Sequence, residues 1–207
     1  MEAPLRFEIR PPRQGEALGA AARWIWLDHC DFYGIFIPHE AAAIRGIEEL
    51  LHRPESDLGS CMLAERDDEL LGVMCYFPLV ELSARSLQSL RRLMIRADDP
   101  GIARQKGRIF AGQVPKLEGT GLYLARIAVV EHCQGMGVGS GLIRRLEELG
   151  RAGGHSRICL HVHRSNRLAL RLYEKHGYSP CTDADREYLG LEKRLDNSSG
   201  RAYRKIK

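Results

Sequence analysis

None of the six cysteines (Cys30, Cys61, Cys75, Cys133, Cys159, Cys181) stands in a CxxC pair. That removes the usual zinc-knuckle and thioredoxin-like readings. Cys61, Cys75 and Cys159 lie in apolar runs and read as small buried hydrophobes in a reducing compartment, not as disulfide partners. No apolar run approaches the roughly 18 residues that a membrane-crossing helix needs, and Met1 to Arg13 is too polar for a signal peptide. The expected location is the cytoplasm, away from any membrane. Charge of one sign is also lacking: 31 Lys+Arg against 27 Asp+Glu leave a net +4. That suits a polyanionic small molecule and is too weak for nucleic-acid binding. No G-x-x-x-x-G-K-[ST] occurs, which argues against a nucleoside triphosphatase.

What the chain does have is concentrated between Tyr123 and Ser140. A β-branched apolar run ends at Val130, and a short loop leads into Gln134-Gly135-Met136-Gly137-Val138-Gly139. Val138, Leu142, Leu146 and Leu149 then share one helical face. Strand, glycine loop and helix start together aim free backbone N–H groups at one spot. The first turn of a helix has four unbonded N–H groups and a partial positive charge, so it holds anions, and glycines let a phosphate come close. The dinucleotide fingerprint does not fit. Gly135, Gly137 and Gly139 have G-x-G-x-G spacing, and histidines (His161, His163), not a carboxylate, mark the end of the next strand. A plain tight turn that starts a helix is the competing reading of the loop alone.

A second block follows. Arg157 to Val162 reads as a short buried strand, and Asn166 is placed to cap a helix carrying Leu168, Ala169, Leu172 and Tyr173. Gly177 suits that helix's left-handed exit. Together, Q-x-x-G-x-G from Gln134 and N-x-x-A-x-x-L-Y-E-K-x-G-Y from Asn166 resemble the GNAT superfamily of acetyl-CoA-dependent acyltransferases. The resemblance is specific from about Tyr123 to Tyr178 and looser before it, where only the order of elements agrees.

The resemblance implies an α/β fold: a central mixed, mostly antiparallel twisted sheet, splayed between its fourth and fifth strands and flanked by helices. It also implies direct transfer of acetyl from acetyl-CoA to a primary amine within a ternary complex, without a metal. Main-chain groups of Ile127, Ala128 and Val129 would pair with the pantetheine amides. The N–H groups of Gly135, Met136, Gly137, Val138, Gly139 and Ser140 would hold the pyrophosphate, and Asn166 would contact the pantetheine arm or order the loop. Tyr173 would touch the cofactor sulfur and protonate the departing thiolate. A tyrosine with its usual pKa of about 10 is protonated at neutral pH, as that role needs.

The base is less marked. In the ribosomal-protein alanine acetyltransferases a glutamate stands in an L-E-V-x-x-S-N context, and the matching text here, Leu160-His161-Val162-His163-Arg164-Ser165-Asn166, puts His161 in its place. Tyr123 falls where other members carry a carboxylate, and Glu131 reads as a solvated loop residue. Cys159, His161 and His163 alternate along one strand, a poor tetrahedral set, so no metal is expected.

Elsewhere, Phe7 to Arg10 reads as an edge strand, Gly15 to Asp28 and His39 to His52 as helices, and Cys61 to Glu65 with Leu70 to Phe77 as a hairpin. Gly72 marks a bulge in the second strand, and Glu187 to Leu195 is the last strand. Residues 1–196 read as one domain, with 197–207 a loose basic tail. About forty residues, 79–118, stand where a short loop belongs. Within them Ser83 to Arg96 reads as a helix with Leu87, Leu90 and Met94 inward and Arg85, Arg91, Arg92 and Arg96 outward. Arg104, Lys106, Arg108 and Lys116 follow. This segment is either a wall of the acceptor site favouring acidic acceptors, or a solvated basic face or homodimer contact. Two functional alternatives stay open: a non-catalytic acyl-CoA sensor, and an enzyme acting on protein N-termini or lysines instead of a small amine.

Overall fold

The computed structural model describes residues 6–182 and 185–196. In chain order the elements are β1 (Glu8–Arg10), α1 (Gly19–Tyr33), α2 (Glu40–Leu51), β2 (Cys61–Arg66), β3 (Glu69–Pro78), α3 (Leu82–Ile95) and α4 (Pro100–Gln113). There follow β4 (Leu122–Val129), α5 (Val138–Ala152), β5 (Arg157–His163), α6 (Arg167–Lys175), β6 (Ser179–Pro180) and β7 (Tyr188–Arg194). The strands form one seven-stranded sheet in the order β1-β2-β3-β4-β5-β7-β6. Every pairing is antiparallel except that of β4 with β5. The loose tail expected at 197–207 lies outside the described residues. Among the described residues no helix is long and apolar enough to cross a membrane.

Strand alternation sends successive side chains to opposite faces. On one face Val73, Phe77 and Tyr123 pack with Ile25, Phe36 and Ile47 of the N-terminal helical region. On the other, Met74, Leu124 and Leu160 pack with Val138, Leu142 and Leu146 of α5 and Tyr173 of α6. Both faces are thus covered. The hairpin of β2 and β3 turns through Asp67 and Asp68, both at positive φ (51° and 62°), the geometry of a tight primed turn. Ala64 pairs with Gly72 and Glu65 with Leu70, so Leu71 is the extra residue of a bulge beside Gly72. A Cβ on Gly72 would lie 2.9 Å from the Ala128 carbonyl oxygen, so the glycine also permits the close approach of β4.

Three expectations change. α1 starts four residues later than the sequence pattern suggested and runs on to Tyr33, because Gly15 sits at φ +74° in a turn. α3 packs through a different stripe: Leu87 and Leu90 are exposed, Ser89 and Leu93 are buried, and Arg85 folds over the Phe77 ring. Ser89 is drawn inward because its hydroxyl donates to Asp57 Oδ1 at 2.5 Å and accepts from the Asp57 N–H at 3.1 Å. Finally, α4 is a helix where only a glycine-bearing stretch was legible. Asp99 caps it, accepting from the N–H groups of Gly101 and Ile102, and Pro100 opens it.

Candidate active site

β4 and β5 pair only at Leu122 with Ile158, Tyr123 with Cys159, and Leu124 with Leu160. β3 holds the other edge of β4 as far as Val129. Beyond Leu124 the β5-facing edge of β4 therefore has no strand partner. The parting starts at a bulge: Cys75 pairs with Arg126 and Tyr76 with Leu124, leaving Ala125 as the extra residue. A cavity of about 820 Å³ opens there. Ile127 and Val129 line it, and Ala128 turns its side chain into the core.

The glycine loop closes one end of this cavity. Gly137 caps α5 in the left-handed region (φ +92°), and no side chain caps the helix. The N–H groups of Val138, Gly139 and Ser140 thus begin α5 without intrahelical acceptors. Gly135 also has positive φ (+79°), and a Cβ on Gly135 or Gly137 would meet nothing within 4 Å. The conformation requires glycine at both, and the space in front of them is open. Gln134 ties the loop to β4 through its amide, which donates to Val129 O at 3.3 Å. Gly135, Gly137, Gly139 and Ser140 line the cavity. Met136 departs from expectation: its N–H is taken by Cys133 O at 3.2 Å and its side chain is exposed. Val138 is fully buried and offers main chain only.

The sequence profile of the Acetyltransferase (GNAT) family matches residues 21–178. The chain belongs to that family. An uncharacterized N-acetyltransferase of Bacillus subtilis, YobR, is 38% identical over 72 residues, which are 35% of this chain and 29% of that protein's length. An N-acetyltransferase from Staphylococcus aureus Mu50 superposes with a TM-score of 0.63 at 17% identity, covering 90% of this chain and 100% of that one. The PaiA N-acetyltransferase of Thermoplasma acidophilum, solved in complex with coenzyme A, gives 0.56 at 18% identity over 92% and 99%. At these identities the solved structures speak for the fold.

Coenzyme A fits what this GNAT chain presents. Uncapped N–H groups and open space over two glycines suit a pyrophosphate, and the unpaired edge of β4 suits an arm bearing two amides. Tyr173 lines the same cavity, and its ring packs 5.7 Å from that of Tyr178. Burial, with Asp28 the next contributor, raises its pKa, so the hydroxyl stays protonated. Asn166 caps α6, its Oδ1 accepting from the Ala169 N–H at 3.0 Å. Its side-chain carbonyl therefore serves to order the turn.

His161 lines the cavity with both ring nitrogens engaged. Nε2 lies 2.8 Å from Pro115 O, and a carbonyl only accepts, so Nε2 carries the hydrogen. Nδ1 then accepts from the Tyr123 hydroxyl at 2.9 Å. Burial lowers the pKa of His161 to about 4, so the ring is neutral at physiological pH.

At the far end of the cavity the residues of α1 and β7 were not legible in the sequence, whereas 79–118 reads there as one candidate wall. α1 supplies Asp28, His29, Asp31 and Phe32; α4 supplies Lys106 and Phe110; β7 supplies Tyr188. The rings of Phe32 and Phe110 (4.9 Å), Phe110 and Tyr188 (5.3 Å), and Tyr188 and His163 (5.0 Å) form a chain across it. Arg186 donates to Gly112 O at 2.8 Å and Val114 O at 3.1 Å. With the His161–Pro115 bond, this fastens the end of the 79–118 segment beside the cavity, which Gln113 lines. Of the basic residues that suggested acidic acceptors, Lys106 alone lines it.

Proposed function

We propose that this protein transfers an acetyl group from acetyl-CoA directly to a primary amine. One observation carries the reading: the uncapped start of α5, the unpaired edge of β4 and the protonated Tyr173 all face one cavity. In the proposed reaction the amine nitrogen attacks the thioester carbonyl carbon, whose oxygen is held by a main-chain N–H of β4. The C–S bond breaks, and Tyr173 gives its proton to the thiolate. The proton lost by the nitrogen goes to His161 through the Tyr123 oxygen, whose own hydrogen already lies on the path to Nδ1. Pro115 O fixes the tautomer that leaves Nδ1 free to receive it. The cytoplasm, reducing and supplied with acetyl-CoA, is the proposed location.

A small-molecule acceptor is favoured over a protein because α4 walls the acceptor end and residues 112–115 are fastened beside it. A sensor of acyl-CoA would need neither Tyr173 nor an acceptor end. The test is calorimetric binding of acetyl-CoA with a thiol-release assay against amines on the same sample. Binding with turnover supports the transferase, and binding without turnover of any amine or peptide points to the sensor. Absence of binding refutes the whole reading.

A further inference from the structure

The acceptor end of the cavity is richer in carboxylates than in free cations. Asp28 and Asp31 line it, and among the described residues neither has a lysine or arginine nitrogen within ion-pair distance. Asp28 lies beside His29, Oδ2 to Nδ1 at 3.2 Å. Burial and the neighbouring Arg126 push the His29 pKa down to about 3, so His29 brings no charge. Its Nδ1 is buried and makes no hydrogen bond, and α1 is kinked at this residue. Arg126 is matched by Asp57 at 3.9 Å and covered by the Phe32 and Tyr33 rings. Lys106 is the remaining cation on this side. Burial raises the pKa of Asp28, and the charge of Arg126 offsets this only in part, while the carboxylate itself still reaches the solvent of the cavity. Ile35, Ile109 and Phe110 give the same space an apolar wall.

We infer that the acceptor carries a second positive charge: it is a linear diamine or polyamine whose distal ammonium meets Asp28 and Asp31 beside the Phe32 ring. An ammonium supplies a counter-charge to the two carboxylates and is attracted by aromatic faces. The alkyl spacer lies along the apolar wall. This inference rests on the acetyltransferase reading above and reverses the acidic-acceptor expectation drawn from the basic residues of 79–118.

The test uses the whole protein with acetyl-CoA and three acceptors of matched length: cadaverine, n-hexylamine and aminocaproate. The expected kcat/KM for cadaverine exceeds both others by at least about ten-fold, and the advantage shrinks with added salt. In the Asp28→Asn, Asp31→Asn double variant the cadaverine-to-hexylamine ratio falls toward one, with acetyl-CoA affinity as the control for folding. If the double variant folds poorly, Asp31→Asn alone, at an exposed side chain, must lower the ratio. Equal or better use of n-hexylamine or aminocaproate overturns the inference, as does turnover of no diamine by protein that binds acetyl-CoA. Failure to bind acetyl-CoA overturns the transferase reading with it.

Discussion

Replacing Gly137 separates the conformational demand of the glycine loop from its role as a phosphate seat. At φ +92° any residue with a Cβ is strained by about 1–2 kcal/mol. For a chain of 207 residues that lowers Tm by roughly 2–8 °C. Nothing lies within 4 Å of the position a Cβ would take, so no clash adds to this cost, and Gly137→Ala and Gly137→Glu carry the same backbone strain. What differs is charge. A glutamate there stands roughly 6 Å from a bound pyrophosphate, and each like-charge pair at an effective dielectric of 20–80 costs about 1–3 kcal/mol. Acetyl-CoA should therefore bind the glutamate variant at least ten-fold more weakly than the alanine variant, since ~1.4 kcal/mol is a factor of ten. The assay is calorimetry on both variants at low and high salt, with thermal melts beside it. The gap between them should narrow as salt screens the repulsion. Equal affinities of the two variants at low salt, with equal melts, would refute a phosphate seat at the start of α5.

Tyr173→Phe should lower kcat by about a hundred-fold or more while acetyl-CoA affinity changes little; comparable losses in both would make the tyrosine a packing residue. His161→Ala and Tyr123→Phe should each slow turnover, because either breaks the proposed proton path, and a faster Tyr123→Phe enzyme would mean that the hydroxyl obstructs His161. At saturating amine the acidic limb of kcat that belongs to His161 should fall near its lowered pKa of about 4, since the base works only when neutral. A limb near 6.5 would show an unperturbed histidine. Stability should decline on acidification: His29 and His161 are neutral in the folded chain down to pKa values of about 3 and 4, whereas unfolded histidines protonate near 6.5. The unfolded state therefore binds more protons below pH 6.5, and between pH 6.5 and 4 each histidine removes roughly 3 kcal/mol. Urea midpoints that fall as steeply in His161→Ala as in the wild type would exclude His161 from that loss.

Signals carried by neighbours in sequence were readable, and signals made by distant segments were not. The Asp67-Asp68 turn, the apolar period of α5 and the Asn166 cap are local chemistry, and each stands where the residues put it. The glycine loop was legible as the turn into α5 because positive φ at Gly135 and Gly137 is a local demand for glycine. The reading of α3 failed because Ser89 is drawn inward by Asp57, thirty-two residues away, against the pull of Leu87 and Leu90. α4 was hidden by Gly101, Gly107 and Gly112, which weaken a helical pattern; Asp99-Pro100 was the one local sign of its start. Asp28 and His29 gave no signal, since their setting depends on a kink inside α1 and on the charge of Arg126 from β4. Tyr123 and His161 were each noticed, yet their hydrogen bond follows from the register of two parallel strands and could not be read from either segment alone.

The long segment between β3 and β4 is more than an ornament on a shared fold. Its far end, Pro115 O, receives the hydrogen of the ring proposed as base. Three residues earlier, Gly112 O is held by Arg186, next to the Glu187 and Tyr188 that line the cavity. Phe110 bridges α1 to β7 through ring contacts on both sides. A movement of α4 would therefore loosen the acceptor wall and free the His161 Nε2 hydrogen together, changing which tautomer faces the acceptor. In the proposed mechanism, acceptor recognition and proton transfer are in this way joined through one set of hydrogen bonds. The cofactor end depends on different residues, the α5 start and the β4 edge, which are fixed by the buried face of the sheet. Substitutions in 79–118 should for that reason alter turnover and acceptor choice well before they alter acetyl-CoA affinity.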